Sequence, residues 1–345
     1  MTAVLTAPPA SPHRQRARRR WIGFAVAVAV LFVALALSIA IGSRTIDLST
    51  VWRVLWHPDG SAESAIVHDL RFPRTVLGLG VGAALGLAGT VMQALTRNPL
   101  AEPGLLGVNL GASTAVVVAI AFLGVTTASG YVWFAFAGAA LTSAAVFALG
   151  GTGRHPTPER QILAGVSITA VLGAIVWAIL VLRREAFDRY RHWDVGSFSD
   201  RDSATVTQIL PFLVAGVVLT LVLGRQLNAL SLGDESATSL GARPARIRAL
   251  GLLAVTLLCG AATAAAGPIW FLGLAVPYAA RMIVGSDQRW ILAYAVILGP
   301  ALLLGADVLG RVLVAPAELP VGVVTAFLGA PLFIALCRRR RLSSL

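Results

Sequence analysis

Charge is scarce in this sequence. Of its 345 residues 57% are hydrophobic and only 13% charged, where a soluble domain of this length carries roughly 25% charged residues to coat its surface. The mean hydropathy is +0.80. A chain so poor in charge is solvated by lipid over much of its surface, which places it among membrane proteins. Lysine is absent, so all 28 basic residues are arginine, a bias that reflects genomic base composition more than function. Only two cysteines occur, Cys259 and Cys337, each inside an apolar run. With no CxxC or HExxH spacing, a metal or disulfide framework is excluded, and both read as small buried hydrophobes. There is no GxxxxGK(S/T) phosphate loop and no soluble stretch long enough for a nucleotide-binding core. If ATP drives this protein, another chain binds it.

What remains is a succession of apolar runs. They cover Trp21–Ile41, Thr75–Leu95, Leu105–Leu123, Tyr131–Gly150, Gln161–Leu182 and Ser203–Gly224, then Ala249–Ala266, Phe271–Gly285, Trp290–Ala306 and Leu319–Cys337. By the ~20-residue length that crosses a bilayer, these predict an all-α polytopic protein of about ten transmembrane helices. Trp21–Ile41 is too long for a signal-peptide core and reads as a retained first helix. Residues 1–20 form an Arg-rich tail and residues 21–341 the membrane domain. Pro277 inside the eighth run predicts an irregular helix there, tolerated at membrane depth only where protein or water covers it. Gly78, Gly82, Gly86 and Gly89 mark close helix packing.

The net charge of +12 comes from clusters at Arg14–Arg20 and Arg338–Arg341 and from short groups between runs. No basic face is interleaved with aromatics, so a nucleic-acid partner is not expected. With ten crossings, one set of connecting segments holds 18 arginines and 5 acids and the other 10 arginines and 11 acids. The positive-inside rule makes the first set, with both termini, cytoplasmic.

Polar groups stand out in four places. Arg71-Phe-Pro-Arg74 enters the second run. Gln93 to Gly104, with Asn98, Leu100 and Glu102, forms a turn rich in Asn, Pro and Gly. The segment of about 226–246 contains Leu232-Gly-Asp-Glu-Ser-Ala-Thr-Ser-Leu-Gly241. Asp234 and Glu235 there suit a helix N-terminus and Gly241 a stop, and Leu232, Ala237 and Leu240 suit a partner's groove. Asp307, Arg311 and Glu318 lie at the ends of the last two runs, where charge near membrane depth is costly and often functional.

Five stretches carry a resemblance: RFPRTVLGLGVGAALGLAGTVMQALTRNPLAEPGLLGV, LGDESATSLG, GPIWFLGLAVPYAARMIVGSDQRW, LLLGADVLGR and AELPVGVVTAFLGAPLF. Together they resemble the FecCD family, the permeases of iron–siderophore, haem and cobalamin ABC importers (type II importers). The resemblance implies a ten-helix permease that moves a chelate across the inner membrane by alternating access. The partners it implies are a second permease, identical or homologous, two cytoplasmic ATPases that hold ATP and Mg, and an external binding protein. No cofactor is implied in this chain. Carried over by position, Arg71, Arg74 and Arg311 match arginines that meet glutamates on the binding protein. Asp234 to Gly241 matches the helix seated in the ATPase groove, and Asn98 and Leu100 match a cytoplasmic gate loop. Pro158 and Glu159 fall at the other gate loop, where the family pattern of small hydroxyl residues is not kept. An iron–siderophore cargo is preferred, with haem or cobalamin as the alternative. An ion-coupled secondary transporter fits less well, because the central thirds of the runs hold no acid. So does an intramembrane enzyme, because His13, His57, His68, His155 and His192 read as tail or loop residues.

Overall fold

Inside lipid the backbone has no water to bond, so each apolar run must satisfy its N–H and C=O groups within itself, as a helix. The computed structural model, which describes residues 12–42, 45–125, 127–151, 158–199, 201 and 203–338, shows this result. In chain order come α1 (Pro12–Ala40), α2 (Leu48–Trp56) and α3 (Ala62–Ala65). A π-helical turn, Ile66–Arg71, then leads without a break into α4 (Phe72–Thr96). A 3-10 turn at Pro103–Leu106 precedes α5 (Val108–Leu123), α6 (Ala128–Gly151), α7 (Pro158–Leu182), α8 (Arg184–Asp194) and α9 (Ser203–Ser231). The remaining helices are α10 (Asp234–Ser239), α11 (Pro244–Ala266), α12 (Leu272–Val284), α13 (Gln288–Leu313) and α14 (Val321–Arg338). Among the described residues, seven helices are long and apolar enough to cross a membrane, and α5, α12 and α14 are shorter apolar helices.

Hydrogen bonds between helix ends define the two ends of the bundle. Arg20 donates to the Val284 carbonyl (2.9 Å) and Tyr294 Oη to the Arg20 carbonyl (2.6 Å), so α1 at Arg20 meets the end of α12 and the first turns of α13. Asn228 Nδ2 donates to Asp287 (3.0 Å), and Arg97 Nε to the Leu230 carbonyl (3.1 Å). These bring the ends of α9 and α4 to the same place, here the Arg97 end. At the other end Arg311 reaches the Ser38 and Ile41 carbonyls at the close of α1. This is the Arg311 end.

Helices α4, α11 and α13 form the interior, whereas α1, α7 and α9 keep most of their surface outward. In lipid such packing rests on van der Waals contact, which favours small residues that let backbones approach. A Cβ on Gly82 would stand 2.5 Å from Pro300 Cα, and one on Gly89 1.8 Å from the Gly273 carbonyl oxygen. The glycine stripe of α4 is therefore the surface on which α12 and α13 lie.

The structure departs from the sequence expectation in three respects. Pro277 lies within α12, and the irregular backbone precedes that helix at residues 267–271. Gly267 (φ +78°) meets the Trp193 carbonyl there, and Phe271 is left-handed (φ +67°). Helix α13 runs past Ala306 to Leu313, so Asp307 and Arg311 are inside it rather than beyond its end. Short helices also form between the apolar runs, and His68 and His192 lie in the π-helical turn and in α8. In α8 the buried residues Ala186, Tyr190 and Trp193 recur at helical spacing.

Candidate functional site

At the Arg311 end the sequence expected exposed arginines at a mouth. Arg71 and Arg311 are instead 4% and 2% exposed. Helix α1 leaves its last carbonyls without intrahelical partners, and these two guanidiniums bond them. Arg71 Nη1 donates to the Ile39 and Ala40 carbonyls (3.0 and 2.7 Å), and Arg311 Nη1 to those of Ser38 and Ile41 (3.0 and 2.7 Å). Gly42 makes room, since a Cβ there would lie 2.6 Å from Arg71 Nη2. Arg311 also pairs with Asp307, one turn back on α13, at 2.8 Å. Asp307 is fully buried and takes Arg74 Nη2 at 2.7 Å, while Arg74 Nη1 reaches Glu318 Oε2 at 2.7 Å. Arg74, on the first turn of α4, is thus the centre of the network. The structure brings all three arginines together as a clasp joining α1, α4 and α13 and the loop before α14, with their charge turned inward.

At the Arg97 end the clasp is smaller and partly exposed. Arg97 ends α4 in the left-handed conformation (φ 50°). Its guanidinium meets the carboxylate of Asp234, the first residue of α10, which also pairs with Arg248 on α11 at 2.9 Å. One carboxylate therefore ties together α4, α10 and α11. Helix α10 is bounded by Gly233 (φ 106°) and Gly241 (φ 79°), both in conformations that favour glycine. Leu232 and Leu240 are 64% and 67% exposed, and Glu235 is exposed too. Ala237 is fully buried against this chain, so it is not one of the apolar residues offered to a partner. Asn98, next to Arg97, is exposed and its Oδ1 accepts the Leu100 N–H at 2.9 Å, which fixes the turn. Two residues past Leu100, Glu102 Oε1 accepts the N–H of Phe271 (2.9 Å) at the start of α12. Pro158 and Glu159 open α7, and their side chains lie outside the described residues.

A cavity of about 300 Å³ opens between α5, α7, α8 and the break before α12, lined by Asn109, Ser113, Trp177, Tyr190, Asp194 and Trp270 among others. Tyr190 Oη donates to Asp194 Oδ1 at 2.6 Å. Burial pushes the Asp194 carboxyl above its usual range and the Tyr190 hydroxyl above its own. This cavity was not anticipated from the sequence. The helical spacing of the aromatics Phe187, Tyr190 and Trp193 is the signal that could have found it.

The same arrangement of helices occurs in known proteins. A structure described as a metal-chelate type ABC transporter in an inward-facing conformation superposes with a TM-score of 0.81 at 27% identity, covering 91% of this chain and 98% of that one. The ferric enterobactin transport system permease protein FepD of Escherichia coli (strain K12) is 48% identical over 90% of this chain and 93% of its own length. The hemin transport system permease protein HmuU of Yersinia pestis is 40% identical over 88% of this chain and 92% of its own. The FecCD transport family matches residues 30–339, and the chain belongs to that family.

Proposed function

We propose that this chain is the permease subunit of an ABC importer that carries a ferric siderophore chelate, working beside a second permease, two ATPase subunits and an external binding protein. The observation that carries the mechanism is the Arg97–Asp234 contact. It joins the short helix α10, with Leu232 and Leu240 offered outward, to the turn that holds Asn98 and Leu100. In this reading ATP closes the ATPases, their grooves displace α10, and Arg97 passes the movement to the Asn98–Leu100 turn. Glu102 passes it on to α12 through the Phe271 N–H. That ordering makes the Arg97 end cytoplasmic and its turn the inner gate. The binding protein docks at the Arg311 end. Arg71, Arg74 and Arg311 support that surface from below, and a partner glutamate reaches them only by displacing one of their internal partners.

The cargo assignment rests on the greater identity to the ferric enterobactin permease than to the hemin permease. Its test is uptake by vesicles containing the chain with its partner permease, ATPases and binding protein, given ferric enterobactin and hemin in parallel. ATP-dependent uptake of the ferric siderophore alone is expected. Uptake of hemin alone would move the cargo to haem, and uptake of either without ATP would reject the importer reading.

A further inference from the structure

Helices α1 and α9 both pack on α13, and an open groove of about 610 Å³ runs between them with α13 as its floor. Its upper walls are apolar and aromatic: Trp21 and Phe24 from α1, Leu221 and Val222 from α9, Trp290 from α13. Trp21 and Trp290 meet edge to face with centroids 5.1 Å apart. At the Arg97 end the groove closes on Arg225 and Arg289. Among the described residues neither guanidinium has a hydrogen-bond or ion-pair partner, and both are exposed. The nearby carboxylate, Asp287, is already occupied. It accepts from Asn228 Nδ2 (3.0 Å) and from the Arg289 N–H (3.1 Å), and Arg20 stands 3.8 Å away. Arg20 itself sits over the Trp290 ring at 5.9 Å. In the opposite direction the groove continues through Val222 into a shallow apolar furrow on the face of α9 itself, formed by Leu210, Pro211, Val214 and Val218. Between Leu210 and Arg225 the helix rises about 22 Å at ~1.5 Å per residue, more than the ~15 Å depth of one leaflet.

We propose that this groove is a binding site for an anionic phospholipid, its phosphate held by Arg225 and Arg289 and an acyl chain laid along α9. Three observations converge on that occupant. The charge is positive and unneutralised at one end only. Tryptophans mark the level where headgroup meets hydrocarbon. The apolar furrow starts at that level and has an acyl chain's length. A soluble anion would leave the furrow empty, and a zwitterionic lipid would bring a second cation against the arginines. Basic pockets between membrane helices suit acidic headgroups for the same reason.

Native mass spectrometry of the assembled transporter, exchanged into detergent containing either phosphatidylglycerol or phosphatidylcholine, tests the proposal. Phosphatidylglycerol is expected to remain bound in preference, one molecule at each copy of this groove. The double variant Arg225→Gln with Arg289→Gln should bind it about twenty-five-fold more weakly, a factor of ~5 for each arginine. Both residues lie on the surface and support no other side chain. Val222→Trp, which fills the furrow and leaves the charges, should weaken binding as well. The proposal is overturned if phosphatidylcholine is held equally well, if the double variant binds like the wild type, or if inorganic phosphate displaces the lipid. The last result would mean a simple anion site.

Discussion

Asp307 is the residue whose burial has the largest consequence. A fully buried carboxylate in a membrane helix is tolerated only with close cationic partners, and Arg74 and Arg311 supply them at 2.7 and 2.8 Å. Arg311 in turn bonds two carbonyls at the close of α1, so one side chain both neutralises α13 and holds α1. Arg311→Met should therefore destabilise the chain by roughly 3–5 kcal/mol, the usual cost of breaking a buried pair from one side. A lowered unfolding temperature in detergent would report it. Arg71→Glu combined with Arg311→Glu distinguishes the two roles of this end. A stably folded double variant that only fails to capture its binding protein would mean that the arginines act as exposed docking charges and that the clasp does not hold α1. Loss of folded protein is the expected result.

At the scale of elements, α10 is too short to be stable alone, since helices of fewer than ~12 residues are marginal in water. It persists because Asp234 is pinned by Arg97 and Arg248, while Ala237 is buried against this chain. Leu240 lies on the other side, 67% exposed in this chain. Leu240→Asp should leave the permease as stable as the wild type and yet bury an unpaired charge wherever a partner covers that leucine, costing several kcal/mol there. Measured against purified ATPase, assembly and substrate-stimulated ATP hydrolysis should both fall sharply. Normal coupling by a stably folded Leu240→Asp protein would remove α10 from the ATPase contact.

At the scale of the molecule, the bundle has a buried clasp at one end and a partly exposed one at the other. Charge pairs that are half exposed exchange partners at small cost, whereas fully desolvated ones do not. Motion is therefore expected at the Arg97 end, with the Arg311 end moving as a block. Cysteines placed singly at Asn98 and Leu100, after Cys259 and Cys337 are removed, should react with a water-borne thiol reagent at rates that depend on nucleotide in the assembled transporter. The Asn98 position, exposed here, serves as the sensitive reporter. Equal labelling with and without ATP would make the turn a fixed connector.

The sequence by itself determined the membrane class, the approximate number and the order of the apolar helices, and the break that follows Leu123. Those features follow from run length and from glycine, and both are local. It also located Asp234–Gly241 as a short helix, from acids at its start and glycine at its stop. It misjudged α13, because a run was ended at its first charge. In the structure Asp307 and Arg311 continue that helix, since an Asp and an Arg one turn apart neutralise each other. It placed Arg71, Arg74 and Arg311 near one end but not their direction. Only the tertiary structure decided that, because the groups they bond are distant in the chain: Asp307 for Arg74, the end of α1 for Arg311. These guanidiniums point to the carboxylates and free carbonyls closest to them in space, and sequence spacing does not encode that distance.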